Sequence, residues 1–164
     1  MHQTSNTSSG TPEIERDDNA LTLSFDGDLI QSRMRLEDPT ALDLQYCQVM
    51  MAFTMFLPQP RRVLMIGLGG GSLVRHLLHH FPELHLTVVE INPAVLAVRD
   101  TFQIPPDGPL LQTVSGDGAA FVKAAAPGAY DLILVDGFTG EGLPDVLCAR
   151  SFYQHGRRAL TPGG

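Results

Sequence analysis

The sequence has few cysteines and no long apolar run, and each shortage excludes a class of protein. Only two cysteines, Cys47 and Cys148, occur among 164 residues. Two cysteines so far apart make no disulfide framework, and they fit a reducing, cytoplasmic compartment. No window approaches the roughly 20 apolar residues of a membrane span, and the first dozen residues lack the apolar core of a signal peptide. We therefore expect a cytoplasmic protein with no membrane partner.

Positive charge is scarce as well. The chain has 11 Lys and Arg against 18 Asp and Glu, which gives a formal net charge of −7. A nucleic-acid surface needs clustered basic residues, and the pairs Arg61-Arg62 and Arg157-Arg158 are too short to supply one. We expect no nucleic-acid partner, and the acidic balance suits a cationic small molecule.

Composition and turn signals divide the chain into three parts. Residues 1–12 are rich in Ser, Thr, Asn and Gly, which predicts a disordered tail. Residues 13–37 are predicted to form an N-terminal β-hairpin, because Asp26-Gly27-Asp28 separates two apolar stretches and glycine tolerates the backbone of a tight turn. Residues 38–164 form the third part.

The third part begins with a predicted helix and continues with alternating strands and helices. Asp38 is a candidate N-cap before Pro39, and apolar residues around Tyr46 recur at helical spacing until Pro58. Four short apolar stretches then predict strands at 62–66, 86–91, 111–114 and 131–135.

This alternation predicts an α/β fold. Strands separated by helices pair in parallel through right-handed crossovers, so we expect a Rossmann-like, doubly wound parallel sheet with its ligand site at the carboxyl ends of the strands. Pro162-Gly163-Gly164 is typical of the approach to a further strand. We therefore expect the sheet to be truncated after its fourth core strand and to lack its C-terminal strands.

A glycine run follows the first of these strands and carries the strongest functional signal. Gly67, Gly69, Gly70 and Gly71 let the backbone turn sharply and let a ligand approach the next helix. Alone they are weak evidence, since a purely structural tight turn is the alternative. Glu90 ends the second strand, ~20 residues further on, where a carboxylate can bind ribose hydroxyls. Together they favour a nucleoside site.

The third strand adds a second carboxylate to the same rim. Asp117, followed by Gly118, could accept a hydrogen bond from an adenine amino group, or it could only cap the helix that begins at Ala119. Ser72 stands where NAD-binding fingerprints have their third glycine, and no basic residue adjoins the glycines. A polyphosphate is therefore disfavoured, and an adenosine that carries a sulfonium fits better.

From about Leu21 onward, the sequence resembles the spermidine synthase family, the polyamine aminopropyltransferases, whose fold is of the S-adenosylmethionine methyltransferase type. No single segment is decisive, but their order is specific. The resembling segments are Phe25-Asp26-Gly27-Asp28-Leu29-Ile30-Gln31, the Tyr46 helix, Ile66-Gly67-Leu68-Gly69-Gly70-Gly71, Val88-Val89-Glu90-Ile91-Asn92, Gly116-Asp117-Gly118 and Tyr130-Asp131-Leu132-Ile133-Leu134-Val135-Asp136.

The resemblance implies an enzyme that moves the aminopropyl group of decarboxylated S-adenosylmethionine to an amine such as putrescine, with no prosthetic group. It implies that Glu90 binds the ribose, Asp117 the adenine and Gln31 the nucleoside. It also implies a homodimer that forms through the hairpin.

Asp136 would help to deprotonate the attacking amine, with Tyr46 nearby. The chemistry supports this role, because a primary amine with a pKa near ~10 is protonated at neutral pH and must lose a proton before it attacks carbon. The alternative is that Asp136 only caps the loop after its strand.

Two positions depart from the family pattern. The family's glycine loop has an Asp where this chain has Gly70. The family's later motif has a second Asp, three residues after the catalytic one, where this chain has Thr139. Both changes remove negative charge from the place of a dicationic amine, although Glu141 could replace part of it. We therefore expect an unusual acceptor.

Gly70 also motivates a rival hypothesis, a methyltransferase. Glycine at a helix N-terminus would admit the carboxylate of intact S-adenosylmethionine. Against this, Met65 stands where common methyltransferases carry an acid, and no Asn-Pro-Pro-aromatic motif follows Val135. A third hypothesis is a non-catalytic nucleoside-binding or dimerisation module.

The remaining signals predict no metal site and no reactive thiol. His76, His79 and His80 have a helical spacing that can bind a metal, but no carboxylate or cysteine is spaced to complete the site, so we predict a solvated helix face. Nothing near Cys47 in the sequence would lower its pKa, so we expect no catalytic role for it.

Overall fold

The computed structural model of the protein describes residues 10–25, 30–138 and 142–164. Its N-terminal part is an antiparallel sheet in the order β1-β2-β3, with β1 at Pro12–Arg16, β2 at Ala20–Phe25 and β3 at Ile30–Arg35. The predicted hairpin corresponds to β2 and β3, and β1 extends it. The proposed turn at Asp26-Gly27-Asp28 and residues 1–9 of the predicted tail lie outside the described residues.

Four strands form a second, wholly parallel sheet. They are β4 (Arg62–Ile66), β5 (His85–Glu90), β6 (Leu111–Ser115) and β7 (Leu132–Val135), in the order β6-β5-β4-β7. The chain moves outward from β4 to β6 and then crosses back to place β7 on the other side of β4. The prediction of a doubly wound parallel sheet is therefore confirmed. The topological switch point, where such folds bind ligands, lies between β4 and β7.

Helices cover both faces of this sheet. They are α1 (Gln45–Met50), a 3-10 helix (Met51–Met55), α2 (Ser72–His80), α3 (Pro93–Ala97), α4 (Gly118–Ala124), α5 (Asp145–Cys148) and α6 (Arg150–Ala159). Successive side chains of β4 point to opposite faces, as a strand requires. Val63 and Met65 join the apolar cluster that contains α2, whereas Leu64 and Ile66 join the cluster that contains α4 and α6. A strand buried on both faces has to be continuously apolar, which is why 63–66 has no polar residue.

The helix predicted from Pro39 to Leu57 is wrong in its extent. Asp38 Oδ1 accepts hydrogen bonds from the backbone N–H and the hydroxyl of Thr40, at 3.1 and 2.7 Å. These bonds close a turn rather than start a helix, and α1 begins only at Gln45. Within the described residues, no helix is both long and apolar enough to cross a membrane.

Candidate active site

The glycine loop joins β4 to α2 directly beside the end of β7. Gly67, Gly69 and Gly71 have φ angles of 95°, 52° and 70°, a backbone region that favours glycine. A Cβ atom on Gly67 would lie 2.3 Å from the backbone oxygen of Asp136. Glycine is therefore what lets the ends of β4 and β7 approach each other at the switch point.

Two further predicted site glycines are required by packing rather than by backbone conformation. A Cβ on Gly118 would lie 2.4 Å from Ile66 Cγ2, so this residue lets α4 pack against β4. A Cβ on Gly70 would lie 2.7 Å from Ser32 Oγ and 3.0 Å from Phe102 Cδ1. The space for a side chain at position 70 is thus already filled, mainly by Ser32 of β3.

Glu90 is buried and ties the end of β5 to the glycine loop. Its Oε2 accepts a hydrogen bond from the Leu68 N–H at 2.8 Å, and its Oε1 accepts one from the Asn92 N–H at 2.8 Å. Each carboxylate oxygen retains a second lone pair. The geometry is compatible with the predicted ribose contact, which stays a prediction.

Asp117 caps α4, the structural role weighed for it from the sequence. Its Oδ1 accepts hydrogen bonds from the N–H groups of Ala119 and Ala120, at 2.7 and 3.0 Å. The side chain is exposed, and no partner of its Oδ2 is found in the described part of the chain. The predicted adenine contact therefore remains open, because capping occupies only one of the two oxygens.

A cavity lies between β3, α1, the glycine loop and the end of β7. It brings together Gln31, Tyr46, Gly69 and Asp136, which the sequence singled out, whereas Glu90, Asp117 and Gly118 lie outside its lining. The lining residues are Gln31, Ser32, Tyr46, Cys47, Met65, Leu68, Gly69, Ser72, Leu73 and Asp136.

A β-bulge explains why two consecutive residues of β3 line this cavity. Leu23 of β2 pairs with Ser32, and Ser24 pairs with Ile30, so Gln31 has no partner in the register. A regular strand would turn Gln31 and Ser32 to opposite faces, whereas a bulge redirects a side chain. The sequence analysis named Gln31 but missed Ser32, since no local signal marks the bulge.

Asp136 is the only carboxyl group in the lining described by the structure. Burial raises its pKa to about 7; a hydrogen bond from Tyr46 opposes the rise, and the negative charge of Glu90 adds to it. The Tyr46 hydroxyl donates to the backbone oxygen of Gln31 at 3.0 Å and lies 3.5 Å from Asp136 Oδ2. A carboxyl group with a pKa near neutrality can both accept and release a proton under physiological conditions.

Tyr46 and Cys47, the neighbours of Asp136 in the cavity, both remain protonated. Burial first, and then the charge of Asp136, raise the pKa of Tyr46 far above its usual value. Burial also raises the pKa of the Cys47 thiol and outweighs the lowering influence of Tyr46 and Arg75. Tyr46 therefore acts as a hydrogen-bond donor beside Asp136 and not as a base.

Arg75, which is buried in α2, stabilises the glycine loop through a hydrogen bond to the backbone oxygen of Gly70. Its guanidinium is buried and donates to the backbone oxygens of Pro39 at 2.7 Å, Gly70 at 2.5 Å and Phe102 at 2.7 Å. Burial lowers its pKa to about 10, so it stays cationic at neutral pH. Its position in the sequence, on the buried side of α2, gave no sign of this role.

The histidines of α2 lie away from the cavity. The Nδ1 of His76 is 2.9 Å from the Thr40 oxygen, and the His76 and His80 rings stack with centroids 4.1 Å apart. His79 and His80 are exposed as predicted, whereas His76 is half-buried. In the part of the chain that the structure describes, no three His, Cys, Asp or Glu side chains converge on a possible metal position. Thr139 and Glu141, considered for the acceptor, lie outside the described residues.

Comparison with known proteins agrees with this geometry. The family model described as the spermine/spermidine synthase domain matches residues 44–164. The chain is 41% identical over 153 residues to the polyamine aminopropyltransferase of Chromobacterium violaceum, covering 93% of this chain and 58% of that protein. The chain thus spans less than two thirds of the length of this relative.

Two solved structures share the fold. The crystal structure of a probable spermidine synthase from Corynebacterium glutamicum superposes with a TM-score of 0.80 at 22% identity, over 92% of this chain and 57% of that one. Human methyltransferase-like protein 13, solved in complex with SAH, superposes with a TM-score of 0.64 at 27% identity, over 74% and 62% of the two chains. These matches confirm the predicted methyltransferase type of the Rossmann-like fold.

Proposed function

Because the chain belongs to the spermine/spermidine synthase family, we propose that it supplies the donor site of a transferase that moves an aminopropyl group from decarboxylated S-adenosylmethionine to an amine. The observation that carries the proposal is Asp136. This carboxyl group lines a cavity at the switch point of the sheet, lies 3.5 Å from the Tyr46 hydroxyl, and has a pKa of about 7.

The nucleoside of the donor would lie along the carboxyl ends of β4, β5 and β6. Glu90 has lone pairs left for ribose hydroxyls, and Asp117 Oδ2, which has no partner among the described residues, could bind the adenine amino group. Gly67 and Gly69 allow the close approach of the ligand to the loop, and Gln31 would contact the nucleoside from β3. No prosthetic group is needed, because the sulfonium supplies its own leaving group.

The transfer itself is a displacement at the carbon next to the sulfonium. The amine nitrogen forms the new C–N bond as the C–S bond breaks, and the sulfur leaves with the bonding electrons as neutral methylthioadenosine. Asp136 takes the proton that the amine must lose, directly or through water. Tyr46 stays protonated. Its hydroxyl, which contacts the backbone oxygen of Gln31, helps to position the Asp136 carboxyl group.

The partners and the location follow from the same proposal. The substrate beside the donor is a small amine, and we expect a cytoplasmic homodimer that forms through the N-terminal sheet. Met55 and Phe56, which are 80% and 87% exposed, provide apolar surface next to α1 that a protein contact would cover. Sedimentation velocity would measure the mass in solution.

A binding and transfer assay tests the proposed function. Calorimetry should show that methylthioadenosine and decarboxylated S-adenosylmethionine bind, and an amine screen should yield aminopropylated product together with methylthioadenosine. Transfer of only a methyl group from S-adenosylmethionine would make the protein a methyltransferase. Absence of binding by every nucleoside would leave a non-catalytic module.

A further inference from the structure

Three histidines lie on one side of α2, away from the cavity. His76 and His80 are four residues apart, and their rings stack with centroids 4.1 Å apart and an angle of 29° between the ring planes. The His79 ring meets the His80 ring edge to face, with centroids 4.8 Å apart. Side chains at positions i and i+4 of a helix are neighbours on its surface, so His76 and His80 form a compact pair of imidazoles.

The hydrogen bonds of this pair fix which nitrogen of each ring carries the proton. Nδ1 of His76 lies 2.9 Å from the backbone oxygen of Thr40, and Nδ1 of His80 lies 3.0 Å from the backbone oxygen of His76. A carbonyl oxygen can only accept a hydrogen bond, so Nδ1 is the protonated nitrogen in both rings. In a neutral imidazole the lone pair is then on Nε2. No hydrogen bond to either Nε2 is found in the part of the chain that the structure describes.

Histidines that bind metals are held in the same way. A ligating imidazole usually donates its second nitrogen to a backbone carbonyl or a carboxylate, which fixes both the tautomer and the orientation of the ring. Imidazole nitrogen suits late first-row ions such as Zn²⁺, whereas Mg²⁺ and Ca²⁺ prefer oxygen ligands. The pair therefore presents two neighbouring nitrogen ligands in the tautomer that such an ion needs.

The surroundings of the pair add negative charge but no further ligand. The Asp38 carboxylate binds the N–H and the hydroxyl of Thr40, the residue whose oxygen holds the His76 ring. Among the described residues, no third His, Cys, Asp or Glu side chain completes a metal site. The sequence analysis set a metal aside because no third ligand is suitably spaced, but spacing does not show how the rings are held. Water can complete the coordination of an ion that the protein holds on one side only.

We propose that His76 and His80 bind one Zn²⁺ ion through their Nε2 atoms, with water at the remaining positions. The ion is not part of the transfer reaction, since neither histidine lines the cavity. Its effect is on the helix. His76 follows Arg75, whose guanidinium donates to the oxygens of Gly70 and Pro39. An ion that links His76 to His80 therefore stabilises the helix that carries the glycine loop.

Calorimetry with ZnCl₂ tests the proposal. At about pH 7.5 a histidine with an ordinary pKa near 6.5 is mostly neutral and can bind the ion. His76→Asn and His80→Asn should each weaken Zn²⁺ binding by about tenfold or more, because the loss of one ligand costs at least as much as the loss of a group that orients it. MgCl₂ should not compete. Equal affinity in the natural protein and in the double variant would overturn the proposal and show an adventitious ion only.

Two further variants separate the pair from single histidines. His85 has its Nδ1 3.1 Å from the Pro109 oxygen but has no second ring beside it, so His85→Asn is the matched control and should leave the affinity within about twofold. His79→Asn should also leave it unchanged, because His79 does not belong to the i, i+4 pair. A loss with His79→Asn as large as with His80→Asn would assign the ion to other nitrogens and contradict the proposal.

The natural protein alone provides a second test, which does not depend on the folding of any variant. Long-range ¹H–¹⁵N NMR spectra distinguish the two nitrogens of each imidazole. Addition of Zn²⁺ should shift the Nε2 resonances of His76 and His80 and leave their Nδ1 atoms protonated. Unchanged Nε2 resonances of this pair, with Zn²⁺ in excess, would overturn the proposal.

Discussion

Two carboxyl groups at the same edge of the sheet have opposite surroundings. Glu90 ends β5 and accepts backbone N–H groups on both of its oxygens, at 2.8 Å each. Asp136 follows β7 on the other side of β4, and the only hydrogen-bond donor close to it is the Tyr46 hydroxyl, at 3.5 Å in the described residues. Glu90 therefore has its carboxylate occupied by the backbone, whereas Asp136 is left with a raised pKa and can exchange a proton.

The largest effect is expected from the substitution that removes the proton acceptor. Asp136→Asn should lower kcat for amine transfer by about 10²–10⁴-fold, the usual contribution of general base catalysis, because the amide cannot take the proton. Affinity for methylthioadenosine should change less than twofold. Steady-state kinetics and calorimetry measure the two quantities, and the exposed Asp145→Asn is the control. Retained turnover would remove Asp136 from its assigned role.

A smaller effect is expected from the substitution of Glu90. In Glu90→Gln, one of the two backbone N–H groups, that of Leu68 or that of Asn92, faces an NH₂ group instead of an oxygen. Since hydrogen bonds to charged groups are worth about 1.5–3 kcal/mol, the free energy of unfolding in urea should fall by about 2 kcal/mol at pH 7. Loss of the negative charge should also lower the pKa of Asp136, seen as a shift of the pH–rate profile to lower pH.

The exposed Glu15→Gln on β1 is the matched control for that substitution. It makes the same chemical change where no hydrogen bond to the side chain is found among the described residues. If Glu90→Gln unfolds at the same urea concentration as Glu15→Gln, the carboxylate is not what holds the glycine loop to β5.

The third prediction concerns pH and stability. In the unfolded chain, Asp136 loses its proton near the ordinary value of 3.8, but in the folded protein it keeps the proton up to about pH 7. Stability contributed by this group is complete below pH 3.8 and is lost as the pH rises towards 7. Asp136→Asn has no such loss, so its free energy of unfolding relative to the natural protein should rise by about 2 kcal/mol between pH 5 and pH 8. A constant difference across that range would show that Asp136 is not desolvated.

Structural features that depend on neighbouring residues in the chain could be predicted from the sequence. The apolar run 63–66, the glycines after it and the acid that ends β5 together predict a nucleoside-binding unit, because periodicity and backbone freedom depend on neighbouring residues. The prediction failed where local signals were ambiguous. Asp38 followed by Pro39 is typical of a helix start, yet the Asp38 side chain closes a turn on Thr40 instead.

Strand β1 shows the same limit in the antiparallel sheet. Its sequence, Pro12–Arg16, has one apolar side chain inside the strand, Ile14, and is mostly exposed. No alternation marks it as a strand, and only pairing with β2 makes it one. Edge strands of this kind take their structure from a neighbour rather than from their own composition.

The sequence by itself determined the order of strands, glycines and acids, and with it the family and the edge of the sheet where a ligand would bind. The tertiary structure decided the chemistry at that edge. It buried Asp136 and gave Glu90 its N–H donors, and through the bulge at Gln31 it placed Ser32 in the space of a side chain at position 70. Desolvation and close packing depend on groups that are distant along the chain, so no local sequence pattern could predict them.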